Sequence, residues 1–280
     1  MKTPKRLQAL VSEGLVDEVI RQLMSGKEAA VYIVRCGEEI RCAKVYKDIK
    51  QRSFRNNTSY QEGRRTKNSR QARAMEKGSR YGRQMQEEAW QSAEVDALYR
   101  LAAAGVRVPQ PHICHEGVLL MDLVTDADGH PAPRLNDIDL TEAQALEFHA
   151  DLLRQVVRML CAGIIHGDLS EYNILVGADG PVIIDLPQAV DAAGNNNASV
   201  MLERDVANLA GYFGRFAPAL ADTEYGKEIW RLYQAGSLTP ASELTGCIEI
   251  EHRIADVDAV LEEVKLALQA EERRRLYQAG

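Results

Sequence analysis

A polar loop near the middle of the chain carries the side chains best suited to chemistry. Asp168 lies five positions before Asn173, and an apolar, strand-like run over residues 182–184 follows and ends in Asp185. Transfer of a phosphoryl group from ATP requires one carboxylate to orient the attacking hydroxyl and further oxygen ligands to hold Mg²⁺ on the phosphates. The pattern therefore predicts phosphoryl transfer, with Asp168 as the catalytic base and with Asn173 and Asp185 as the metal ligands.

The predicted metal site consists of hard oxygen donors. An amide oxygen from Asn173 and a carboxylate from Asp185 suit Mg²⁺, which keeps several waters and binds few protein groups; Mn²⁺ is the alternative ion. Taken singly, an acid after an apolar strand also fits a turn cap, and a loop with Asp and Asn also fits an ordinary surface loop. The short separation of the two residues in sequence favours the metal site.

A lysine on a predicted strand supplies the positive charge that such a reaction needs. Within residues 40–46, period-two alternation puts Lys44 on the same face as Cys42 and Tyr46. A buried ammonium group without an anionic partner is very costly. We therefore expect its partner to be the α- and β-phosphates of ATP or a glutamate. The alternative, a surface lysine on a solvated strand, is disfavoured by the polar loop downstream.

The glutamate is expected on a helix predicted over residues 87–104. Apolar residues recur at helical spacing along this stretch. Glu94 is the best candidate, and Glu87 and Glu88 compete for the same role. We therefore expect an ion pair between Lys44 and Glu94 beside the nucleotide.

A tight polar loop precedes the first strand of a predicted hairpin. Its residues are Ser25, Gly26, Lys27, Glu28 and Ala29. The glycine lets the backbone approach a ligand closely, main-chain N–H groups can form an anion cradle, and the lysine adds positive charge. The loop matches neither the GxGxxG nor the Walker A pattern, so its position before the hairpin is what favours a phosphate-covering role.

The elements that must position these residues fall into two groups. The first group comprises a helical lead-in over residues 4–24, strands over 30–36 and 40–46, the helix over 87–104, an extended linker over 106–111 and a strand over 117–124. In the second group, Thr141 is predicted to cap a helix that runs to Cys161. Loops are predicted over residues 126–133 and 191–197, and further helices over 202–216 and 254–275.

Strands before helices indicate an α+β fold with two lobes. We expect a sheet-rich N-lobe over residues 1–124, which carries the phosphate loop and the ATP lysine. A helical C-lobe over residues 125–280 would carry the catalytic loop and the metal site. A cleft between lobes is a usual place for a nucleotide.

The charge of the chain is unevenly distributed. The net charge is −7, yet residues 50–83 contain 11 Lys/Arg and 2 Glu, a local charge of +9. The basic segment, residues 47–83, has few large apolar residues and is predicted to be flexible. Residues 50–83 would suit an anionic partner such as RNA or the ribosome; a solvated insertion with no partner is the alternative.

Composition limits the class of protein. With 280 residues and 45% hydrophobic content, the chain can form one or two domains with a real core. No apolar run approaches the length of a membrane span, and no apolar stretch follows the basic N-terminus as in a secretion signal. The five cysteines form no CxxC pair, which argues for a reducing cytoplasm and against a zinc site. We expect a cytoplasmic protein with no membrane partner.

Motifs along the chain together resemble the RIO family of atypical serine/threonine protein kinases. They are the 25–29 loop, the run 166–175, and residues 184–190 and 202–206, and the resemblance extends over roughly residues 7–220. It implies a trimmed, two-lobed protein-kinase-like fold, the use of ATP and Mg²⁺, and phosphorylation of a protein substrate or of the chain itself. The basic segment resembles the family's flexible loop, whose autophosphorylated serine would be Ser53, Ser59, Ser69 or Ser79.

The resemblance also implies roles for single residues. Lys44 would be the ATP lysine with Glu94 as its partner, while Asp168, Asn173 and Asp185 keep the roles given above. Further contacts to the nucleotide are implied for the 25–29 loop, for Val31, for the gatekeeper Met121, and for the hinge backbone of Asp122 and Val124. Asp205 would brace the catalytic loop. In some members the acid that matches Asp185 is thought to accept phosphate transiently, which would give an ATPase-like cycle.

The chain departs from the family pattern in places. Cys42 stands where kinases usually place an alanine over the adenine, and Met24 and Ser25 begin the loop where the family often has Ser-Thr. Only 24 residues precede that loop, too few for the winged helix of one branch, so the short form of the family is expected.

Two other functions are alternatives. Aminoglycoside and choline kinases share a similar His-Gly-Asp…Asn loop, which would make the chain a small-molecule phosphotransferase, although residues 170–172 are atypical for them. The other alternative is a nucleotide-gated module that docks on RNA or ribosomes through the basic segment.

Overall fold

A computed structural model of the protein describes residues 4–47 and 80–247. The helices in those ranges are α1 (Lys5–Ser12), α2 (Arg80–Ala103), α3 (Glu142–Cys161), α4 (Ala198–Phe213) and α5 (Tyr225–Gln234). The strands are β1 (Glu18–Ser25), β2 (Ala29–Cys36), β3 (Glu39–Tyr46), β4 (Pro111–His115), β5 (Val118–Asp122), β6 (Ile164–Ile165), β7 (Ile174–Gly177), β8 (Gly180–Ile183) and β9 (Val190–Asp191). The predicted α+β fold, with a sheet first and helices after it, is confirmed.

Strands β1 to β5 form one antiparallel sheet in the order β1-β2-β3-β5-β4. The predicted hairpin is present, since β2 pairs with β3 along its whole length from Ala29 opposite Tyr46 to Cys36 opposite Glu39. Gly37, with a φ of 63°, lets the chain reverse between the two strands because glycine adopts a positive φ at little cost.

The two faces of this sheet have different neighbours. Lys44 pairs with Val31 on β2 and with Leu119 on β5, so these three residues form one row on one face. The opposite face and helix α1 form a small core of their own, which includes Leu7, Leu10, Val16, Tyr32, Val34, Ala43 and Val45. Helix α1 covers that face. The face with Lys44 is therefore the one that contacts α2 and the residues that follow β5.

The helical lead-in predicted over residues 4–24 is wrong in its second half. Helix α1 ends at Ser12, and residues 18–25 form the edge strand β1. Gly14, with a φ of 73°, follows the end of the helix. Apolar residues after it continue the helical spacing, but pairing with the edge of β2 satisfies the main-chain groups of one side of the segment.

Other elements of the first group have shifted ends. Helix α2 begins at Arg80 rather than at residue 87, and the strand predicted over 117–124 is the shorter β5. The sequence pattern does not reveal β4, which begins at Pro111 where an extended linker is expected to end. Proline fits the first residue of a strand at the edge of a sheet.

Helix α3 begins where the sequence predicts. Thr141 Oγ1 accepts from the Gln144 N–H at 3.3 Å, and the Gln144 side chain accepts from the Thr141 N–H at 3.0 Å, which forms a capping box. Helix α4 occupies residues 198–213 instead of the predicted 202–216. The apolar faces of α3, α4 and α5 share one core that includes Leu152, Leu160, Leu209, Phe213 and Ile229.

Two small sheets hold the loop that carries Asp168. Strand β6 pairs with β9, and β7 pairs with β8. The loop leaves β6 and enters β7 directly after Asn173, and Ile174 at the start of β7 faces Ile183 at the end of β8. The β7–β8 hairpin therefore returns the chain to Asp185 close to where it left Asn173.

Several expectations concern residues outside the described ranges. These are most of the basic segment (residues 48–79), the serines Ser53, Ser59, Ser69 and Ser79, and the helix predicted over 254–275. In the part that is described, no helix combines the length and the apolar character that a membrane crossing needs. All five cysteines lie there and are free thiols.

Candidate active site

Lys44 lies at the centre of the site and contacts two carboxylates. Its Nζ donates to Glu94 Oε1 at 2.5 Å and to Asp185 Oδ1 at 2.9 Å. The side chains of Lys44 and Glu94 are only 12% and 4% exposed. Burial alone would lower the pKa of Lys44, but the two carboxylates raise that pKa well above its usual value. The lysine is therefore charged at neutral pH. The competing Glu87 and Glu88 lie in the part of α2 whose side chains are not described.

Tyr46 completes this group of contacts, although the sequence analysis assigns it no role. Its hydroxyl donates to Glu94 Oε2 at 2.8 Å, so both oxygens of that carboxylate are bound. Tyr46 is 1% exposed, and its carbonyl accepts from the Arg6 guanidinium at 2.6 Å. The signal in the sequence is the strand alternation that puts Tyr46 on the same face as Lys44.

Asp185 has an uncommon backbone conformation. Its φ of 65° lies in the left-handed region, which Asp and Asn tolerate better than most residues with a side chain. Its side chain is 46% exposed. Burial would raise the pKa of Asp185, but the charge and hydrogen bond of Lys44, together with the charge of Arg134, lower that pKa below its usual value. The carboxylate is therefore ionised and suits a divalent cation.

His166 fixes the loop that carries Asp168. Its Nε2 donates to the Ile184 carbonyl at 3.0 Å, and its Nδ1 accepts from the Asp168 N–H at 3.3 Å. The imidazole thus ties the loop to the segment that leads into Asp185. The Asp168 side chain is exposed. Loss of surrounding water raises the pKa of Asp168, and the charge of Arg204 opposes that rise.

Side chains of helix α4 hold the main chain of the same loop. Asp205 is 1% exposed and accepts from the N–H groups of Gly167 at 2.7 Å and Leu169 at 3.0 Å. Asn208 donates to the Leu169 carbonyl at 3.0 Å, and Arg204 donates to the Gly167 carbonyl. The residues on both sides of the predicted base therefore have their N–H and C=O groups bound, which is the bracing that the resemblance implies for Asp205.

Asn173 is positioned by two contacts. Its Nδ2 donates to the Asp168 carbonyl at 2.8 Å, and its own carbonyl accepts from the Ile184 N–H at 2.9 Å. Because the amide nitrogen is used, its Oδ1 is the atom left for a metal ion. Asn173 and Asp185 together offer an amide oxygen and an ionised carboxylate, a donor set that fits a hard divalent cation.

The 25–29 loop is a closed turn between β1 and β2. The Gly26 N–H donates to the Ala29 carbonyl at 2.9 Å. Ser25, Gly26 and Lys27 are exposed, and Val31 follows them on β2 in the row that contains Lys44. The turn therefore presents main-chain groups and one cation at the open end of the sheet.

Lys47 stabilises this turn, a contact that the sequence does not reveal. Its Nζ donates to the Gly26 carbonyl at 2.5 Å and to Ser25 Oγ at 3.1 Å, and its N–H donates to the Glu28 carbonyl at 2.8 Å. The hairpin register places the end of β3 beside the turn. A second cation three residues after Lys44 is the only hint in the printed sequence.

The predicted hinge follows β5. Met121 is half-buried and pairs with β3. The Asp122 N–H donates to the Gln110 carbonyl at 2.9 Å, and the Val124 carbonyl accepts from the Ala132 N–H at 3.0 Å. The Asp122 carbonyl and the Val124 N–H are thus the hinge groups that adenine could bind.

The described residues bring together side chains that are distant in sequence. Lys44 and Asp185 are 141 positions apart and in direct contact, while Asn173 is bonded to the main chain of Asp168 and of Ile184. The ammonium group of Lys44, the acids Asp168 and Asp185 and the amide of Asn173 therefore belong to one site between the sheet and the helices. Such a group can bind a polyphosphate and a divalent ion and can orient a hydroxyl.

Comparison with known proteins gives concordant results. The family description "RIO domain" matches residues 30–225. A RIO-type serine/threonine-protein kinase Rio1 of Haloferax volcanii is 36% identical over 208 residues, which is 74% of this chain and 67% of that protein. The protein of the same name in Methanocaldococcus jannaschii is 30% identical over 243 residues, or 86% of this chain and 77% of that protein.

A human relative is similar over a smaller share of its own length. The serine/threonine-protein kinase RIO1 of Homo sapiens is 30% identical over 221 residues, covering 78% of this chain but only 37% of that protein. The chain thus spans well under half of this curated relative. Among solved structures, the kinase PK-1 of Cydia pomonella granulovirus gives a TM-score of 0.41 at 16% identity over 67% of this chain and 58% of that one, a likeness too weak to support an inference.

Proposed function

The chain belongs to the RIO domain family, and from that premise we infer that it is an ATP-dependent serine/threonine protein kinase. It transfers the γ-phosphoryl group of ATP to a hydroxyl of a protein substrate or of itself, and it uses a divalent metal ion. The observation that carries the proposal is the contact of Lys44 with both Glu94 and Asp185. This contact joins the strand that carries the lysine to the acid that follows β8, and the phosphates of a nucleotide would bind beside it.

Lys44 is the residue that binds the α- and β-phosphates. Its ammonium group is charged, and the bond from Tyr46 holds the Glu94 carboxylate that orients it. Because Glu94 is almost fully buried, the lysine cannot turn away from the cleft without leaving a buried carboxylate unpaired, which is costly. The 25–29 turn, stabilised by Lys47, covers the phosphates, and Val31, Met121, Asp122 and Val124 bind the nucleoside.

Asp168 is the residue that orients the substrate hydroxyl and accepts its proton. Its side chain is exposed beside a loop that is fixed by His166 and by α4. A raised pKa makes the carboxylate a better proton acceptor in the reaction. The fixed main chain keeps the acid in place while the hydroxyl approaches, so positioning does not depend on the substrate.

A divalent ion, when bound, neutralises charge on the phosphates. Asn173 Oδ1 and the Asp185 carboxylate would hold it. Mg²⁺ fits best, because two hard oxygen donors leave room for its waters, and Mn²⁺ is the alternative. The lowered pKa of Asp185 keeps this ligand ionised over the whole physiological range.

Mass spectrometry of the full chain after incubation with ATP and Mg²⁺ tests the proposal. Phosphate is expected on a serine or threonine of the protein. Asp168→Asn should lower the rate of incorporation by about 10²–10⁴-fold while ATP binding is retained. Asp179→Asn, an exposed acid in the β7–β8 turn, is the matched control and should keep the original rate.

The outcomes separate the alternatives. Full incorporation by Asp168→Asn would show that the role assigned to this acid is wrong. Phosphate on Asp185 would indicate the ATPase-like cycle, and label only on an added metabolite would indicate a small-molecule phosphotransferase, which the family does not favour. Strongly salt-dependent RNA binding through residues 50–83 without any phosphoprotein would indicate the docking module. A cytoplasmic location is part of the same proposal.

A further inference from the structure

Arg134 lies on a segment that connects the hinge to the strand after the catalytic loop. On one side, the Ala132 N–H donates to the Val124 carbonyl at 3.0 Å. On the other side, the Val176 N–H donates to the Pro133 carbonyl at 2.9 Å, and Arg134 itself forms a bridge with Leu175. The backbone of Arg134 is therefore fixed between the proposed adenine site and the strand that follows Asn173.

The side chain of Arg134 reaches the sheet. Its Nη2 lies 3.0 Å from Met24 Sδ, and Met24 immediately precedes Ser25 in the phosphate-covering turn. In the strand register, Met24 is opposite Val31, which is opposite Lys44. The guanidinium thus spans the cleft and ends at the row of residues that leads to Lys44. Its charge also helps to lower the pKa of Asp185, so it acts on the metal-binding side of the site as well.

The guanidinium of Arg134 contacts a weak hydrogen-bond acceptor, the sulfur of Met24. Arginine has five N–H donors and a permanent charge, whereas a thioether is a weak acceptor. Among residues 4–47 and 92–247, whose side chains are described, no carboxylate lies within ion-pair distance of Arg134, although its side chain is half-buried. Arg107, with an exposure of 34%, shows the usual arrangement: it pairs with Asp151 and donates to the Pro181 carbonyl at 3.1 Å. A half-buried cation with unused donors favours an anion that enters the cleft.

We propose that Arg134 binds phosphate oxygens of the nucleotide and makes the site selective for polyphosphorylated nucleotides over the bare nucleoside. The inference rests on the proposed function, because it assumes that a nucleotide occupies this cleft. A guanidinium can bind phosphate through two parallel hydrogen bonds, and Lys44 already has two carboxylates to satisfy. When a phosphate binds, Arg134 gives up its weak contact with the Met24 sulfur and gains a charged contact with the phosphate. The loss of binding energy from the broken contact is therefore small.

Calorimetric titration of the full chain with ATP, ADP and adenosine tests this inference. Arg134→Met keeps the length of the side chain and removes its charge, and it should weaken ATP binding by about 10- to 100-fold, as expected for a lost charge-assisted contact. Adenosine binding should be unchanged, and Arg134→Lys should recover part of the affinity for ATP. Arg154→Met is the matched control, since Arg154 is 59% exposed on α3 and pairs with Asp151; it should bind all three ligands like the unaltered protein.

Each outcome decides the matter. A selective loss of ATP and ADP affinity in Arg134→Met supports the inference, and the retained adenosine binding shows that the variant is folded. Equal losses for ATP and adenosine, or unchanged ATP affinity, would overturn this inference while the proposed function stands. An unaltered protein that binds adenosine as tightly as ADP and ATP would likewise overturn it, and failure to bind any of the three would overturn the proposed function together with it.

Discussion

Replacing Tyr46 with phenylalanine tests whether the contacts of Glu94 determine the position of Lys44. The substitution keeps a ring that is 1% exposed and removes only the hydroxyl that donates to Glu94 Oε2 at 2.8 Å. Because the ring stays, no sizeable cavity opens in the core. The change therefore isolates one hydrogen bond to a buried carboxylate.

The expected magnitude follows from the charge and burial of the acceptor. A hydrogen bond to a charged group contributes about 1.5–3 kcal/mol to the free energy of unfolding. For a domain of this size, 1 kcal/mol corresponds to roughly 2–4 °C in Tm, so Tyr46→Phe should lower Tm by about 3–12 °C. With one oxygen of Glu94 released, the pair with Lys44 loses its fixed orientation, and the KM for ATP should rise.

Tyr212 offers a matched control on the same assay. It is 6% exposed, and its hydroxyl donates to the Leu135 carbonyl at 2.7 Å. Since this acceptor is neutral, Tyr212→Phe should cost only about 0.5–1.5 kcal/mol and should leave the KM for ATP unchanged. Thermal unfolding of both variants, followed by initial rates over a range of ATP concentrations, provides the comparison.

One result would refute the reasoning. If the two variants lost the same Tm and Tyr46→Phe kept the original KM for ATP, the Glu94 carboxylate would not depend on the Tyr46 hydroxyl. Lys44 would then be positioned by Asp185 or by the row of residues on the sheet alone.

Asp185→Asn should weaken ATP binding in the presence of Mg²⁺ far more than in the presence of EDTA, because it removes an anionic ligand; equal losses in both titrations would exclude a metal role. Burial lowers the pKa of His149 from 6.5 to about 4, and its Nε2 has no partner in the described residues. The unfolded chain takes up this proton first, so the free energy of unfolding should fall by up to about 3 kcal/mol as the pH drops from 6.5 to 4 and should not depend on this group above pH 6.5. In urea unfolding across that interval, His149→Leu should flatten the profile, whereas His130→Leu, at a site 78% exposed, should not.

Features with a local signal could be predicted from the sequence. Thr141 and Gln144 are three residues apart and specify the start of α3, and the hairpin around Gly37 follows from alternation and a turn residue. The candidate base and metal ligands lie within an 18-residue stretch, residues 168–185, whose spacing is itself the signal. Their roles remain predictions. The structure brings Asp185 into contact with Lys44, as a site for phosphoryl transfer requires.

Features that depend on distant partners could not be predicted. Strand β1 continues a helical spacing and is a strand only because β2 offers an edge to pair with. The contacts of Tyr46 with Glu94 and of Lys47 with the 25–29 turn exist only once the hairpin and α2 have packed. The contact of Arg134 with Met24 joins residues that are 110 positions apart. Nothing in the local sequence of Arg134 distinguishes it from a surface arginine.

The hold of α4 on the catalytic loop bears on how such an enzyme can diverge. Asp205 and Asn208 bind peptide N–H and C=O groups, which every amino acid carries. These contacts do not involve the side chains of Ser170, Glu171 and Tyr172, of which the first two are half-buried and the last is 50% exposed. A lineage can therefore exchange these three residues without loss of the main-chain contacts that hold the loop to α4.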